Sequence, residues 1–273
     1  ELTSCEISTV PELVFCEYEG IPSSAHEGIP SRKKMYEALM SSKAVQAMLD
    51  ATNTVMEGFE HAASLEAEKV SKEAKERIAA WRDSGKALIS HSMRPHKQDK
   101  SPRLEDSFEY WSTRIGATDY DGVAIDEFGH EDLDELSVYT EAVKRFYGIE
   151  KYKSKRLYAY TCAAWGSHAQ SMDFRKVLAA GAGVYAPEYY LREKRSEAEA
   201  RMHIDFMYTY LRDWEKRTPE SLPFILMVLS STDGLPGYYG QDTMANVNYK
   251  YYLDLQYNQL ANDPDFDGLR GIS

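Results

Sequence analysis

The stretch Tyr120-Asp121-Gly122-Val123-Ala124-Ile125-Asp126-Glu127-Phe128-Gly129-His130 closes an apolar run with two adjacent carboxylates. Such groups can donate or accept a proton at a reacting bond, or attack it. On a strand, side chains alternate between faces. Val123 and Ile125 therefore share one face, and Gly122, Ala124 and Asp126 share the other. The bulky pair suits packing against helices and the small pair an inward face, which points Asp126 into the mouth of a barrel. Barrel enzymes hold their catalytic groups at the carboxyl ends of the strands, where Asp126 and Glu127 fall. The competing reading is a structural Asp that accepts backbone amides in the following loop.

If the reaction is hydrolysis of a glycosidic bond, a second carboxylate is required, because one group protonates the leaving oxygen while the other attacks or activates water. Glu188 is the leading partner: it ends the run from Gly183, with small Ala182, Gly183 and Ala186 beneath it. Asp233, after Leu229-Ser230-Ser231-Thr232, is the next candidate. A solvated loop acid is the alternative for either. His91 and Arg94 follow Ala87-Leu88-Ile89-Ser90 and could bind substrate oxygens or tune a carboxylate. Trp165 could serve as a platform for a sugar ring, with Tyr185, Tyr189, Tyr190, Tyr238 and Tyr239 on the same rim, unless these rings only pack. His130 and Glu131 could complete a metal site with Asp126 and His91, but no His-Glu-x-x-His spacing supports one, so no metal is expected. The loop Gly234-Leu235-Pro236-Gly237-Tyr238-Tyr239-Gly240 lacks the Lys and Ser/Thr of a phosphate cradle, and no cofactor is expected.

These residues need elements to position them. Seven strand-length runs recur: Leu13 to Tyr18, Ala87 to Ser92, Gly122 to Phe128, Arg156 to Cys162, Gly183 to Glu188, Phe224 to Ser230 and Gly268 to Ser273. Helical spacing fills the connectors Leu133 to Tyr147, Ser196 to Arg217 and Tyr249 to Leu260, and Lys33 to Arg82 reads as one or two long helices. Ser196 followed by Glu199 is a capping-box pattern, and Pro219 and Pro223 close that helix's exit. Strands alternating with helices predict an α/β protein with a parallel sheet, specifically one (β/α)8 TIM-type barrel domain over residues 1–273. Seven runs are one short of eight, so a strand or helix is expected to be missing at an end. With the first strand lost before Glu1, the strand of Asp126 becomes the fourth. An open doubly wound sheet is the runner-up, without the Gly-rich turn that would support it.

The motif Tyr120-Asp121-Gly122-Val123-Ala124-Ile125-Asp126-Glu127-Phe128-Gly129 resembles the fourth-strand signature of barrel-fold glycoside hydrolases, nearest to the chitinase type. The match covers about nine residues and the strand order. Asp121, Gly122 and Asp126 carry over, and Glu127 is a carboxylate displaced by one position. Ala124 stands at an inner acidic position of that pattern, and Phe128 at its catalytic Glu. The resemblance implies a glycoside hydrolase acting on a poly- or oligosaccharide through paired carboxylates.

Composition narrows the partners. A net charge of -12 argues against a phosphate-backbone partner, so no nucleic acid is expected. The 20 Tyr, against 9 Phe and 4 Trp, suit amphipathic ligands such as sugars, though interhelical packing accounts for most such rings. No apolar run reaches the roughly 20 residues of a membrane span. Cys5, Cys16 and Cys162 are too few and scattered for a disulfide framework or zinc cluster. A start at Glu1 rather than Met suggests processing or trimming, and a secreted, periplasmic or cell-surface location is expected. Two other functions stay open: a non-catalytic carbohydrate-binding barrel, motivated by Ala124 and Phe128, and a metal-dependent hydrolase.

Overall fold

The computed structural model describes residues 14–18, 54–57, 72–93, 103–116, 120–128, 133–161, 168–191, 196–217, 225–231, 249–266 and 269–273. Its strands are β1 (Val14–Tyr18), β2 (Thr54–Glu57), β3 (Ala87–Met93), β4 (Gly122–Phe128), β5 (Arg156–Thr161), β6 (Gly183–Leu191), β7 (Ile225–Ser231) and β8 (Leu269–Ile272). Helices follow or precede them as α1 (Lys72–Asp83), α2 (Leu104–Gly116), α3 (Leu133–Tyr147), α4 (Ala169–Ala180), α5 (Glu197–Arg217) and α6 (Tyr249–Asn262). The protein is thus mixed α/β with a parallel sheet. Sheet order follows chain order from β1 to β8, and β8 also pairs with β1.

Each expected run contains a strand, and one further strand corrects the reading. The strand expected before Glu1 is instead Thr54–Glu57, inside the segment expected to be helical. β2 pairs on both sides, Thr54 lying opposite Cys16 of β1 and Ala87 of β3. Two ladders outweigh the helix propensity of Met56 and Glu57, and four residues are too few to display a period of two. Of the expected long helices, Lys72–Asp83 is observed as α1, and the rest of that segment, apart from β2, lies outside the described residues.

The helices form for local reasons. On α3, Leu136, Tyr139, Thr140, Val143 and Phe146 are buried at three- and four-residue steps, an apolar stripe facing the sheet. At the start of α5 the Ser196 hydroxyl accepts the Glu199 N–H at 3.2 Å, which is the expected cap. α1 ends in Gly85, whose positive φ of 78° is cheap only for glycine, and its N–H donates to the Arg82 carbonyl at 2.8 Å.

Burial separates the two faces of the sheet. Val123, Ile125, Leu157, Ala159 and Tyr185 pack with Trp111, Leu136, Phe146 and Phe174 in the layer between strands and helices. Ile89, Ala124, Tyr158, Tyr160, Val184 and Ala186 form a second cluster on the inner face. The alternation assigned to β4 is therefore observed, with Val123 and Ile125 toward the helices and Ala124 inward. Gly122 has a steric reason to be glycine: a Cβ there would lie 2.0 Å from the Arg156 carbonyl oxygen on β5.

Candidate functional site at the carboxyl ends of the strands

β4 is regular against β3 as far as Asp126, with Ile89 opposite Gly122, His91 opposite Ala124 and Met93 opposite Asp126. Against β5 the register breaks. Ile125 pairs with Ala159 but Phe128 pairs with Thr161, so three residues of β4 advance against two of β5. The extra residue falls at Asp126-Glu127. Such a bulge interrupts the pleat and re-aims side chains, and bulges are over-represented next to active sites. Strict alternation would set neighbouring carboxylates on opposite faces, a constraint the bulge relaxes. It also moves Phe128 into register with Thr161, which continues the helix-facing series Leu157 and Ala159.

β6 is regular in register with β5 through Pro187 and with β7 from Tyr185 to Leu191. Val184 and Ala186 lie in the inner cluster, so Glu188, two residues further on, stands on the same face. Glu188 is half-buried and opposite Val228 of β7. β4 and β6 are second neighbours around the sheet, a spacing of about 10 Å between strand axes at most. Asp126, Glu127 and Glu188 therefore all belong to the carboxyl-terminal parts of nearby parallel strands.

The remaining expected site residues divide. His91 lies on β3 at the register position beside Ala124, and Tyr190 on β6 opposite Ser230. Arg94, Trp165, Asp233 and Tyr239 lie outside the described residues, as do Tyr238, His130 and Glu131. Tyr185 requires a correction. It is only 1% exposed, belongs to the helix-side core, and has the buried Arg175 guanidinium of α4 4.7 Å from its ring centroid. It sits on the odd-numbered face of β6, with Ala159 beside it, and so cannot act as a rim ring for a ligand.

Tyr160 was not singled out from the sequence. It falls between Ala159 and Thr161, directly across from the β4 bulge, and is buried on the inner face with Tyr158. The available signal was the alternation Leu157-Tyr158-Ala159-Tyr160, in which the large rings share one face and the small or aliphatic residues the other. Asp121, by contrast, is structural: its carboxylate accepts the Leu88 N–H at 2.9 Å and its backbone bridges Leu88 and Arg156.

The class defined by these observations is α/β with a parallel sheet. No protein-family model and no curated protein matches the chain. Among solved structures, the chain is similar to a beta-glucanase from Saccharophagus degradans, with a TM-score of 0.43 and 11% identity over 92% of this chain and 76% of that one.

Proposed function

We propose that the chain is a (β/α)8 TIM-type barrel that hydrolyses glycosidic bonds of a poly- or oligosaccharide. The observation that carries this reading is the bulge of β4 at Asp126-Glu127, on the same sheet and toward the same strand ends as Glu188. In this scheme one carboxyl group of the β4 pair protonates the leaving oxygen, and Glu188 attacks the anomeric carbon or activates water. The carboxyl separation decides the outcome, about 5 Å for retention and about 6.5 to 9.5 Å for inversion. In this scheme His91, on β3 beside Ala124 in register, orients substrate hydroxyls.

The test is a polysaccharide panel assayed by reducing-end release, followed by Asp126→Asn, Glu127→Gln and Glu188→Gln on the substrate found. Glu188→Gln and at least one of the β4 variants lower kcat by about 100-fold or more, with little change in melting temperature. Unchanged turnover in all three variants refutes the assignment. Binding of a polysaccharide without any turnover supports the non-catalytic carbohydrate-binding barrel instead.

A further inference from the structure

At the opposite end of the strands, the structure gathers positive charge in a chain whose net charge is -12. A cavity of about 420 Å³ there is lined by Arg82 from the last turn of α1, Lys86 before β3, and Lys155 and Arg156 at the start of β5, together with Ser154 and Asp121. Four cations face one carboxylate, and that carboxylate already accepts the Leu88 N–H. The sequence brings Lys155 and Arg156 together, but only the fold adds Arg82 and Lys86 from about 70 residues away.

Arg82 and Arg156 are not consumed by structural duties. The last carbonyls of α1 are taken by backbone donors, Ser84 N–H on Ala80 and Trp81 and Gly85 N–H on Arg82, so Arg82 is not needed as a helix cap. Among the described residues, no carboxylate forms a salt bridge with Arg82 or Arg156. Lys86 is held with its ammonium 4.6 Å from the Trp81 ring centroid, and Lys155 donates to the Tyr120 carbonyl. The neighbouring Lys153 is neutralised by Glu150 at 2.6 Å and adds little to the field. Two fixed ammonium groups and two guanidinium forks thus line one half-open space.

We propose that this cavity binds a small, multiply charged phosphate anion, such as a pyrophosphate or phosphate ester, remote from the strand ends that carry Asp126 and Glu188. Phosphate fits because its tetrahedral oxygens accept donors from several directions at once. Arginine forks match pairs of those oxygens, and lysine supplies a point charge. A single planar carboxylate would engage only one side of a space of this size. The net negative charge of the chain repels anions in general, so saturable anion binding reports a local site.

Inorganic pyrophosphate titrated by calorimetry at about 20 mM salt tests this, with citrate as the carboxylate comparison. The wild-type chain binds one pyrophosphate saturably and more tightly than citrate. The variant Arg82→Gln/Arg156→Gln loses about tenfold or more in affinity while its circular dichroism is unchanged. Arg82→Gln alone, on the last turn of a surface helix, loses about threefold and serves if the double variant fails to fold. Absence of saturable binding, equal affinity for citrate, or unchanged affinity in a folded variant overturns the proposal. None of these outcomes depends on the glycosidase reading, which concerns the other end of the strands.

Discussion

Two aspartates five residues apart, one just before β4 and one within it, stand in different backbone settings. Asp121 sits before the first residue of the strand and is committed to the Leu88 N–H, tying β3 to β4 where both begin. Asp126 stands where the ladder to β5 loses register, so the backbone geometry around it is not that of an ordinary strand residue. Between them, Gly122 is set by contact rather than by conformation. A methyl group would meet the Arg156 carbonyl oxygen at 2.0 Å and its carbonyl carbon at 2.7 Å, and both are backbone atoms that cannot swing away. Gly122→Ala must therefore separate β4 from β5. Urea denaturation of this variant is expected to show a loss of at least about 2 kcal/mol, because overpacking of a rigid site is relieved only by backbone movement. A loss below about 0.5 kcal/mol would show that the two strands part without cost. The adjacency of two carboxylates at the end of an apolar run was readable from residue types alone. The bulge beside it was not, since nothing in Ile125-Asp126-Glu127-Phe128 marks the position of an extra residue.

At the scale of elements, the helix-to-sheet junction around Tyr147 shows how burial is converted into pH dependence. The Tyr147 ring, at the end of α3, lies against Gly181, where a Cβ would come within 2.4 Å of the ring, and its hydroxyl donates to the Lys155 carbonyl at 3.2 Å. Burial raises the phenol above its ordinary pKa of 10.0. The unfolded chain then releases this proton near pH 10 while the folded chain keeps it, so the contribution is complete below that pH and falls as pH rises above it. Tyr147→Phe should accordingly lose less stability than the wild type between about pH 9 and 11, even though the variant starts lower for want of its hydrogen bond. Parallel alkaline melts of the two proteins check this, and equal slopes would place the ring in water. Elements with a long period were legible: α3 is observed over Leu133–Tyr147 as expected, and Ser196 caps α5. β2 was hidden because its four residues hold together only through strands on either side.

The charge of the whole molecule is unevenly spent. Exposed pairs such as Lys144–Glu141 and Arg201–Glu197 lie on single helices, where each contributes a few tenths of a kcal/mol. A surplus of 12 negative charges meanwhile repels itself through the compact state. Self-repulsion is the larger effect at low salt. Raising sodium chloride from about 10 to about 150 mM shortens the screening length from about 30 to about 8 Å, and the melting temperature is expected to rise by a few degrees. A falling melting temperature would show that the ion pairs dominate. Among the described residues no helix is long and apolar enough to cross a membrane.

Periodicity in the chain determined which residues face which way on a strand already identified. Val123 and Ile125 had to face the helices and Ala124 the inside, because a pleat alternates whatever its neighbours are. The same rule, followed from Val184 and Ala186, sets Glu188 on the inner face. Tyr185 shows the limit of residue type: a tyrosine suits both a sugar-binding rim and a core, and its place in register beside Ala159 put it in the core. Only tertiary pairing decided that Thr54–Glu57 is a strand, that β4 carries a bulge at its acidic pair, and that Arg82 and Lys86 meet Lys155 and Arg156. Each of these depends on residues far apart in the chain, and a local pattern carries no information about partners brought together by strand pairing.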